Sequence, residues 1–514
     1  MPRIARARSR FPAGWLIFFL LVQAGLLFPR LGLLPVWGDE QFTLEVIHRP
    51  WGEIPSILWD DIHPPLYYFL VKAWSDLPFG QLEIEQARAF SALFALLSTP
   101  LLYVLWLRQR PADFGTWFLA LWTLSPTLLL YARMARSYSL QLFVAILAVY
   151  AASAFLRQPA DRRRLVRYAA AAALLLYVHY LPGLAIAGAT ALLFALRCRR
   201  EQSAFLWKRW GMVNGLIGLL YLPWMATFAH ALTRVPGAEP YFLVPNFLLE
   251  TCVKLAFWFT SFTYGEAFQG WAIKLGLILA PGVLWLLWRG ARPAPKWFPL
   301  VATAAGIGYV GASAWVSFPF MGARLLFLLP FYLRWLVRGR LRGRALGSLI
   351  LGGILLVQAG GLSSYFRKTG FLNQGYLVPF EEIAQQIEER SAGQRALLLI
   401  DGYNTDPSPL VARLGGRIDL VKVRGDEGVG QARDRIQRGE AQVIWFLRNT
   451  HDVSPHGVVS ALEKSITAGY GGYHSYFVPY SAADEYAADW LGWPAETRHH
   501  YQLGEFRRVA GNRP

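Results

Sequence analysis

The sequence predicts a polytopic α-helical membrane protein of about eleven spans, followed by a soluble α/β domain. Three observations support this fold class. Hydrophobic residues make up 54% of the 514 residues and the mean hydropathy is +0.30, which is too apolar for an ordinary soluble protein. Basic residues cluster in every second connection between apolar runs, as they do in the inward loops of membrane proteins. After about residue 362 the chain has no apolar span and alternates apolar strands with polar helices.

The spans are placed wherever an apolar run reaches about 17–25 residues. They lie near 13–34, 90–107, 114–132, 138–156, 168–181, 182–197, 210–228, 270–288, 297–317, 323–337 and 345–363. The basic N-terminal stretch resembles a signal peptide, but no small-residue cleavage site follows it. We therefore interpret the first run as a retained span.

The arginine clusters set the orientation of these spans. Placing every cluster inside puts the N-terminus in the cytoplasm and leaves one set of connections outside. The outer set comprises the long loops 35–89 and 229–269, the turns at 133–137, 180–182 and 318–322, and the C-terminus. The net charge of +18 therefore reflects the orientation of the spans in the membrane. For this reason no nucleic-acid partner is expected.

Two domains follow from this division of the chain. The first, 1–363, is a membrane domain, and the second, 371–514, is a soluble α/β domain on the outer, periplasmic face. Strands are predicted at 396–401, 419–423 and 443–447, in a parallel sheet, with a helix near 457–468. The glycines at 425, 428 and 430 do not match a dinucleotide fingerprint, so no nucleotide site is inferred.

The first outer loop carries two acidic clusters. Asp39 and Glu40 follow the first span directly, and Asp61 and His63 come just before the next helix in the motif DDIHPP. Charges are costly near hydrocarbon, so acids at the membrane surface indicate an acid/base or metal site. A solvated acidic pair that caps a helix is the alternative. Glu40, Asp61 and His63 are candidate ligands for a divalent cation, although their spacing is a weak metal signal.

A cationic and aromatic group is predicted on the same face. Its members are Arg88, Arg133, Arg136, Tyr138, His179, Tyr180 and Arg324. Arginine binds phosphate in bidentate fashion, although any one of these arginines could instead extend to the membrane interface. Acids beside such an arginine set, above a hydrophobic groove, describe an enzyme for a lipid-phosphate substrate.

At this point several motifs, in order, carry a resemblance to a known group. The matching pieces are DE at 39–40, DIHPPLYY at 61–68, ARAFSALF at 87–94, YARMARSYSL at 131–140, HYLP at 179–182 and ARLLFLLP at 323–330. Together they resemble the GT-C membrane glycosyltransferases that use polyprenyl-phosphate sugars. That group includes protein O-mannosyltransferases, the lipid A aminoarabinose transferase and lipopolysaccharide galacturonosyltransferases. The chain departs from the group's pattern at Met134 and Leu325, where relatives often have an acid and a tyrosine.

The resemblance implies a reaction and a set of roles. A sugar would pass, with inversion, from a polyprenyl-phosphate donor to a hydroxyl on a lipid, glycan or protein at the outer face of a bacterial inner membrane. Asp39 aligns with the catalytic acid of the first outer loop, and Asp61 and His63 align with its second acidic motif. Glu40 joins Asp39 and Asp61 as a catalytic candidate, and His63 joins the cationic and aromatic group as a candidate for substrate binding.

Two other classes of function stay open. A lipid flippase or transporter would also be polytopic and basic inside, but it should have ionisable or broken segments near the midplane. A non-catalytic assembly scaffold could keep the fold without the activity, and the presence of Asp39 together with the outward arginines argues against it.

The predicted orientation can be tested with reporter fusions. If the arginine clusters face the cytoplasm, an enzyme that is active only in the periplasm should be active when fused after Pro514 and inactive when fused at Arg200. The opposite pattern would reverse the side that is assigned to the acidic site.

Overall fold

A computed structural model describes most of the chain. The described residues are 11–61, 63–77, 83–234, 247–268, 270–291, 301, 305–306, 322–341, 343–372, 374–378, 380–401, 408–415, 418–423, 425–449, 462, 466, 470–479 and 500–508. They form two compact units. The first comprises Met1–Leu31, Thr43–Glu266 and Trp271–Leu362, and the second comprises Gly32–Phe42, Ala267–Gly270 and Ser363–Pro514.

The first unit is helical. Its helices before residue 140 are α1 (Ala13–Leu27), the last part of α2 (Gly38–His48), α3 (Ile54–Trp59), α4 (Leu66–Ser75), α5 (Glu83–Leu102), α6 (Ala112–Thr123), α7 (Pro126–Ala132) and the start of α8 (Tyr138–Arg157). Later helices are α9 (Arg162–Val178), α10 (Tyr180–Glu201), α11 (Ala204–Arg234), α12 (Phe247–Thr263), α13 (Gly270–Ala291), α14 (Leu329–Arg340) and most of α15 (Arg344–Arg367). A π-helical turn, Tyr103–Leu107, extends α5, and a 3₁₀ helix, Gly322–Leu328, precedes α14.

The expectation of a multi-pass membrane protein is confirmed. Within the described part of the chain, 6 helices are long and apolar enough to cross a membrane, or up to 7 if α6 and α7, which meet at 51°, count as one span. Two predicted spans differ from expectation. The first is a helix of only 15 residues, and the predicted span 323–337 is the 3₁₀ helix followed by a 12-residue helix. Most of the predicted span 297–317 lies outside the described residues.

The predicted turn at 180–182 is wrong by a few residues. The break between α9 and α10 is His179 alone, which is the last cap of one helix and the first cap of the next. Pro182 lies within the first turn of α10. Proline is tolerated there because the first amide groups of a helix have no partner within the helix. A proline motif that favours a turn is therefore also compatible with a helix start.

The core of the first unit is built around α8 and α9. Helix α8 packs on α5 and α9, and α9 packs on α10 and α11. Large aromatic side chains fill this layer, and Phe155 contacts both Tyr168 and Phe194 at ring-centroid distances of 5.6 and 4.9 Å. The packing fixes the ends of these helices, where the candidate site residues lie.

The second unit contains a 5-stranded sheet of order β2-β1-β3-β5-β4. Its strands are β1 (Ala396–Asp401), β2 (Ile418–Val423), β3 (Val443–Asn449), β4 (Tyr470–Pro479) and β5 (His500–Arg508), and its helices include α16 (Phe380–Ser391), α17 (Ser408–Leu414) and α18 (Gly425–Arg438). The predicted parallel pairing is confirmed for β1, whose Ala396 pairs with Ile418 and Val443. The pairing of β5 with β3 and β4 is antiparallel, which the sequence did not indicate. Most of the predicted helix at 457–468 lies outside the described residues.

Candidate active site

Arg136 is the most firmly held of the predicted site residues. It lies in the short connection between α7 and α8, and it is 3% exposed. Its Nη1 donates to the Tyr68 hydroxyl at 3.0 Å, and its Nη2 donates to His63 Nε2 at 2.8 Å. Both acceptors are uncharged groups that come from the DIHPPLYY motif. The arginine of one motif is thus fixed by the histidine and tyrosine of another.

The two hydrogen-bond partners of the His63 imidazole determine its tautomer. Arginine has no acceptor, so the Nε2 atom of His63 must accept the hydrogen bond from Arg136. The proton therefore sits on Nδ1, which donates to the Asp61 Oδ2 atom at 2.7 Å. The backbone amide of His63 also donates to this oxygen at 3.2 Å. Asp61 consequently orients the imidazole, and the imidazole in turn orients Arg136.

A second chain of hydrogen bonds fixes the backbone of Arg136. The Ser91 hydroxyl on α5 donates to the Arg136 carbonyl at 3.1 Å, so its oxygen accepts from the Tyr67 hydroxyl at 3.0 Å. Tyr67 and Tyr68 lie on α4, which begins directly after Pro65 as the double proline predicted. The motif DIHPPLYY therefore holds both the side chain and the main chain of Arg136.

His179 belongs to the same electrostatic neighbourhood. Its Nδ1 accepts from the Leu181 amide at 3.3 Å and so caps α10. Burial among protein groups, reinforced by the charges of Arg324, His63 and Arg136, lowers the pKa of His179 to about 3. The side chain is only partly exposed to solvent. Arg324, on the 3₁₀ helix, is half-buried and faces this neighbourhood with Arg136.

The two remaining tyrosines have packing partners. Tyr138, at the start of α8, is buried, and its ring lies 5.7 Å from that of Tyr131. The Tyr180 hydroxyl accepts from Trp224 Nε1 at 3.2 Å, and the Asp61 carboxylate lies close enough to act on it electrostatically.

Arg133 and Arg88 bind backbone carbonyl groups at the end of α1. Arg133 donates to Leu26 at 2.9 Å, Leu27 at 3.2 Å, Pro29 at 2.8 Å and Arg30 at 2.5 Å. Arg88 donates to the Leu31 carbonyl at 2.8 Å. The last carbonyls of a helix have no partner within it, and these two buried guanidinium groups supply partners. The same bonds hold Arg30 at a φ of 56°, a conformation that is unusual for a residue with a side chain.

The acidic pair lies in the second unit, in the first turn of α2. Glu40 is fully buried, whereas Asp39 is partly exposed, so the two side chains diverge as expected for adjacent residues. Carboxylates in the first turn interact favourably with the helix dipole, which accounts for part of this placement.

The metal hypothesis does not fit the side chains as they are arranged. Among the described residues, no group of three or more His, Cys, Asp or Glu side chains could hold a metal ion. Nδ1 of His63 carries a proton towards Asp61, and the lone pair of Nε2 accepts from Arg136.

Three groups of the site were not singled out from the sequence. Tyr68 and Ser91 lie inside motifs that were recognised, but their partners are distant in sequence. The third is Glu266, a buried acid in the aromatic stretch FWFTSFTYGEAF. An acid within such an apolar stretch is a signal that could have identified it.

The comparison with solved structures shows that the chain shares a fold with ArnT, a member of the group that the motifs resemble. The crystal structure of ArnT from Cupriavidus metallidurans in the apo state is similar with a TM-score of 0.54 and 14% sequence identity. The similarity covers 96% of this chain and 98% of ArnT. At this identity the similarity between the two chains is a similarity of fold.

Two further solved structures have lower scores. ArnT from the same organism bound to undecaprenyl phosphate has a TM-score of 0.49 at 15% identity, covering 97% of this chain and 99% of that one. The archaeal oligosaccharyltransferase AglB from Archaeoglobus fulgidus, in complex with an inhibitory peptide and a dolichol-phosphate, has a TM-score of 0.49 at 10% identity, covering 90% and 73%. No protein-family model matches the chain, and no curated protein matches it by sequence.

Replacing Arg133 should mainly lower stability. Arg133→Met keeps a long side chain but leaves the carbonyls at the end of α1 without their donor, at a cost of about 3 kcal/mol. Thermal unfolding of the purified protein should therefore begin several degrees lower. Arg110→Met, at an exposed arginine, is the matched control and should unfold like wild type. Equal unfolding temperatures for all three proteins would show that the hydrogen bonds of Arg133 do not stabilise the fold.

Proposed function

We propose that this chain is a glycosyltransferase that moves a sugar from a polyprenyl-phosphate donor to a hydroxyl group of a lipid, glycan or protein. The observation that carries the proposal is the cluster of Asp61, His63, Arg136, His179 and Arg324, which has fixed cationic groups on the fold of a GT-C glycosyltransferase. We place the reaction at the outer face of a bacterial inner membrane, with residues 1–363 as the transferase domain and 371–514 as a soluble periplasmic domain.

The cluster has the charge that a phosphate leaving group requires. Arg324 is half-buried and is the cation that we assign to direct contact with the phosphate. Arg136 is buried behind it and adds a fixed positive charge that does not reorganise during the reaction. The low pKa of His179 keeps its imidazole neutral, so it binds as a hydrogen-bond donor through Nε2.

The proposed reaction is a direct displacement. The acceptor oxygen forms a bond to the anomeric carbon while the bond from that carbon to the phosphate oxygen breaks. The electron pair stays on the phosphate, where the arginine charge stabilises it. The acceptor proton passes to the carboxylate of Asp39, which acts as general base, and the attack from the opposite face inverts the anomeric carbon. No step of this scheme passes through a metal ion.

Asp61 has a different role in this proposal. Its carboxylate fixes the tautomer of His63 and, through it, the position of Arg136. Asp61 is therefore a positioning group for the phosphate, in contrast to our sequence-based expectation of direct participation in catalysis. Arg133 and Arg88 hold the end of α1, and we assign them no contact with the donor.

The assignment of Asp39 as the general base can be tested in cells that lack the gene. Mass spectrometry of the cell-envelope lipids and glycans should find a product that disappears without the protein and returns with wild type. Asp39→Asn keeps the size of the side chain but removes the base, so formation of this product should fall by about 10²–10⁴-fold.

Asp60→Asn is the matched control, since Asp60 is an exposed acid in the same loop. It should support product formation close to the wild-type rate. Wild-type activity of Asp39→Asn in a folded protein would remove the general base from the proposal.

A further inference from the structure

Glu266 is a buried acid that the scheme above does not use. It is 1% exposed and follows α12, directly after Gly265. Its Oε1 atom accepts a hydrogen bond from the Tyr131 hydroxyl at 2.6 Å and another from the Ser261 hydroxyl at 2.6 Å. Gly265 has a φ of 114°, and a side chain there would lie 2.6 Å from Pro126. The backbone is therefore built to bring this carboxyl group against α7.

The carboxyl group joins three separate elements. Tyr131 comes from α7, the helix that leads to Arg136, and Ser261 comes from α12. The third element is the 3₁₀ helix, because a Cβ atom on Gly322 would lie 2.8 Å from Glu266 Oε1 and 2.7 Å from Ser261 Oγ. Gly322 therefore lies close to the carboxyl group, and a side chain at this position would displace Glu266 or Ser261.

The next residues of the 3₁₀ helix are also held from one side. The Gln141 Nε2 atom on α8 donates to the Ala323 carbonyl at 2.8 Å, and Arg324 follows directly. The backbone that presents Arg324 is therefore fixed at two consecutive positions, Gly322 and Ala323. The first of these contacts depends on Glu266.

The charge of Glu266 changes close to neutral pH. Burial raises its pKa to about 7, and the hydrogen bonds from Ser261 and Tyr131 offset part of this effect. Of the described groups on α7, α12 and the 3₁₀ helix, only these two hydroxyls act on the carboxyl, and no charged side chain does.

We infer that Glu266 is a positioning residue that ties the segments bearing Arg136 and Arg324 together. The inference rests on the proposed function. It makes a specific demand of the side chain. An acceptor at Oε1 is needed for the geometry, and a carboxyl group is not.

Two substitutions test this demand. Glu266→Gln keeps an acceptor for Tyr131 and Ser261 and stays neutral at every pH. Glu266→Ala removes the acceptor and leaves two buried hydroxyl groups without it. Glu53→Gln, at an exposed acid, is the matched control.

The experiment measures binding of undecaprenyl phosphate to the full-length protein in detergent at pH 6. Wild type and Glu266→Gln should bind alike, because the amide oxygen of glutamine keeps the acceptor for Tyr131 and Ser261. Glu266→Ala should bind about threefold to tenfold more weakly than both. Glu53→Gln should bind like wild type.

Undiminished binding by Glu266→Ala, or a loss of binding by Glu266→Gln as large as that of Glu266→Ala, would overturn the inference. Binding by wild type is a separate result. Its absence would overturn the proposed function, and this inference with it.

Discussion

The two hydrogen bonds that fix the Arg136 guanidinium are the constraint on which the candidate site depends. They join a connection between two helices to the Tyr68 hydroxyl and the His63 imidazole. A buried cation is costly unless its donors have partners, so the surrounding residues must be placed to supply them. Asp61 does so by holding the histidine in the tautomer that accepts from arginine. The order of the DIHPP motif follows from this requirement.

The arginines that looked equivalent in the sequence differ in what they bind. Arg133 and Arg88 donate hydrogen bonds to backbone carbonyls at the end of α1. A planar, charged guanidinium group is well suited to this role because it has several donors. Arg136 binds neutral side chains, and Arg324 is half-buried at the edge of the same neighbourhood. The motifs alone do not distinguish the arginines that bind the backbone at the end of α1 from Arg136 and Arg324, which lie near His179.

Periodicity and composition predicted much of the fold. Helix α8 and strand β1 agree with their predicted bounds to within a residue, because long apolar runs and alternating short runs are strong local signals. Periodicity and composition did not predict the contacts between residues that are distant in the sequence. The carbonyl partners of Arg133 are backbone atoms about a hundred positions away and leave no mark on the sequence, and the antiparallel pairing of β5 is similarly non-local. Glu266 was not predicted because a single acid in an aromatic stretch is a weaker signal of a functional site than an acidic pair.

The most direct test of the proposed function is the binding of undecaprenyl phosphate by Arg324 variants. Lysine keeps the charge at position 324 but loses the planar fork, so Arg324→Lys should bind about tenfold more weakly than wild type and Arg324→Ala more weakly still. Arg110→Lys, at an exposed arginine, should bind normally. Wild-type affinity in Arg324→Lys and Arg324→Ala would contradict the assignment of Arg324 to the donor phosphate.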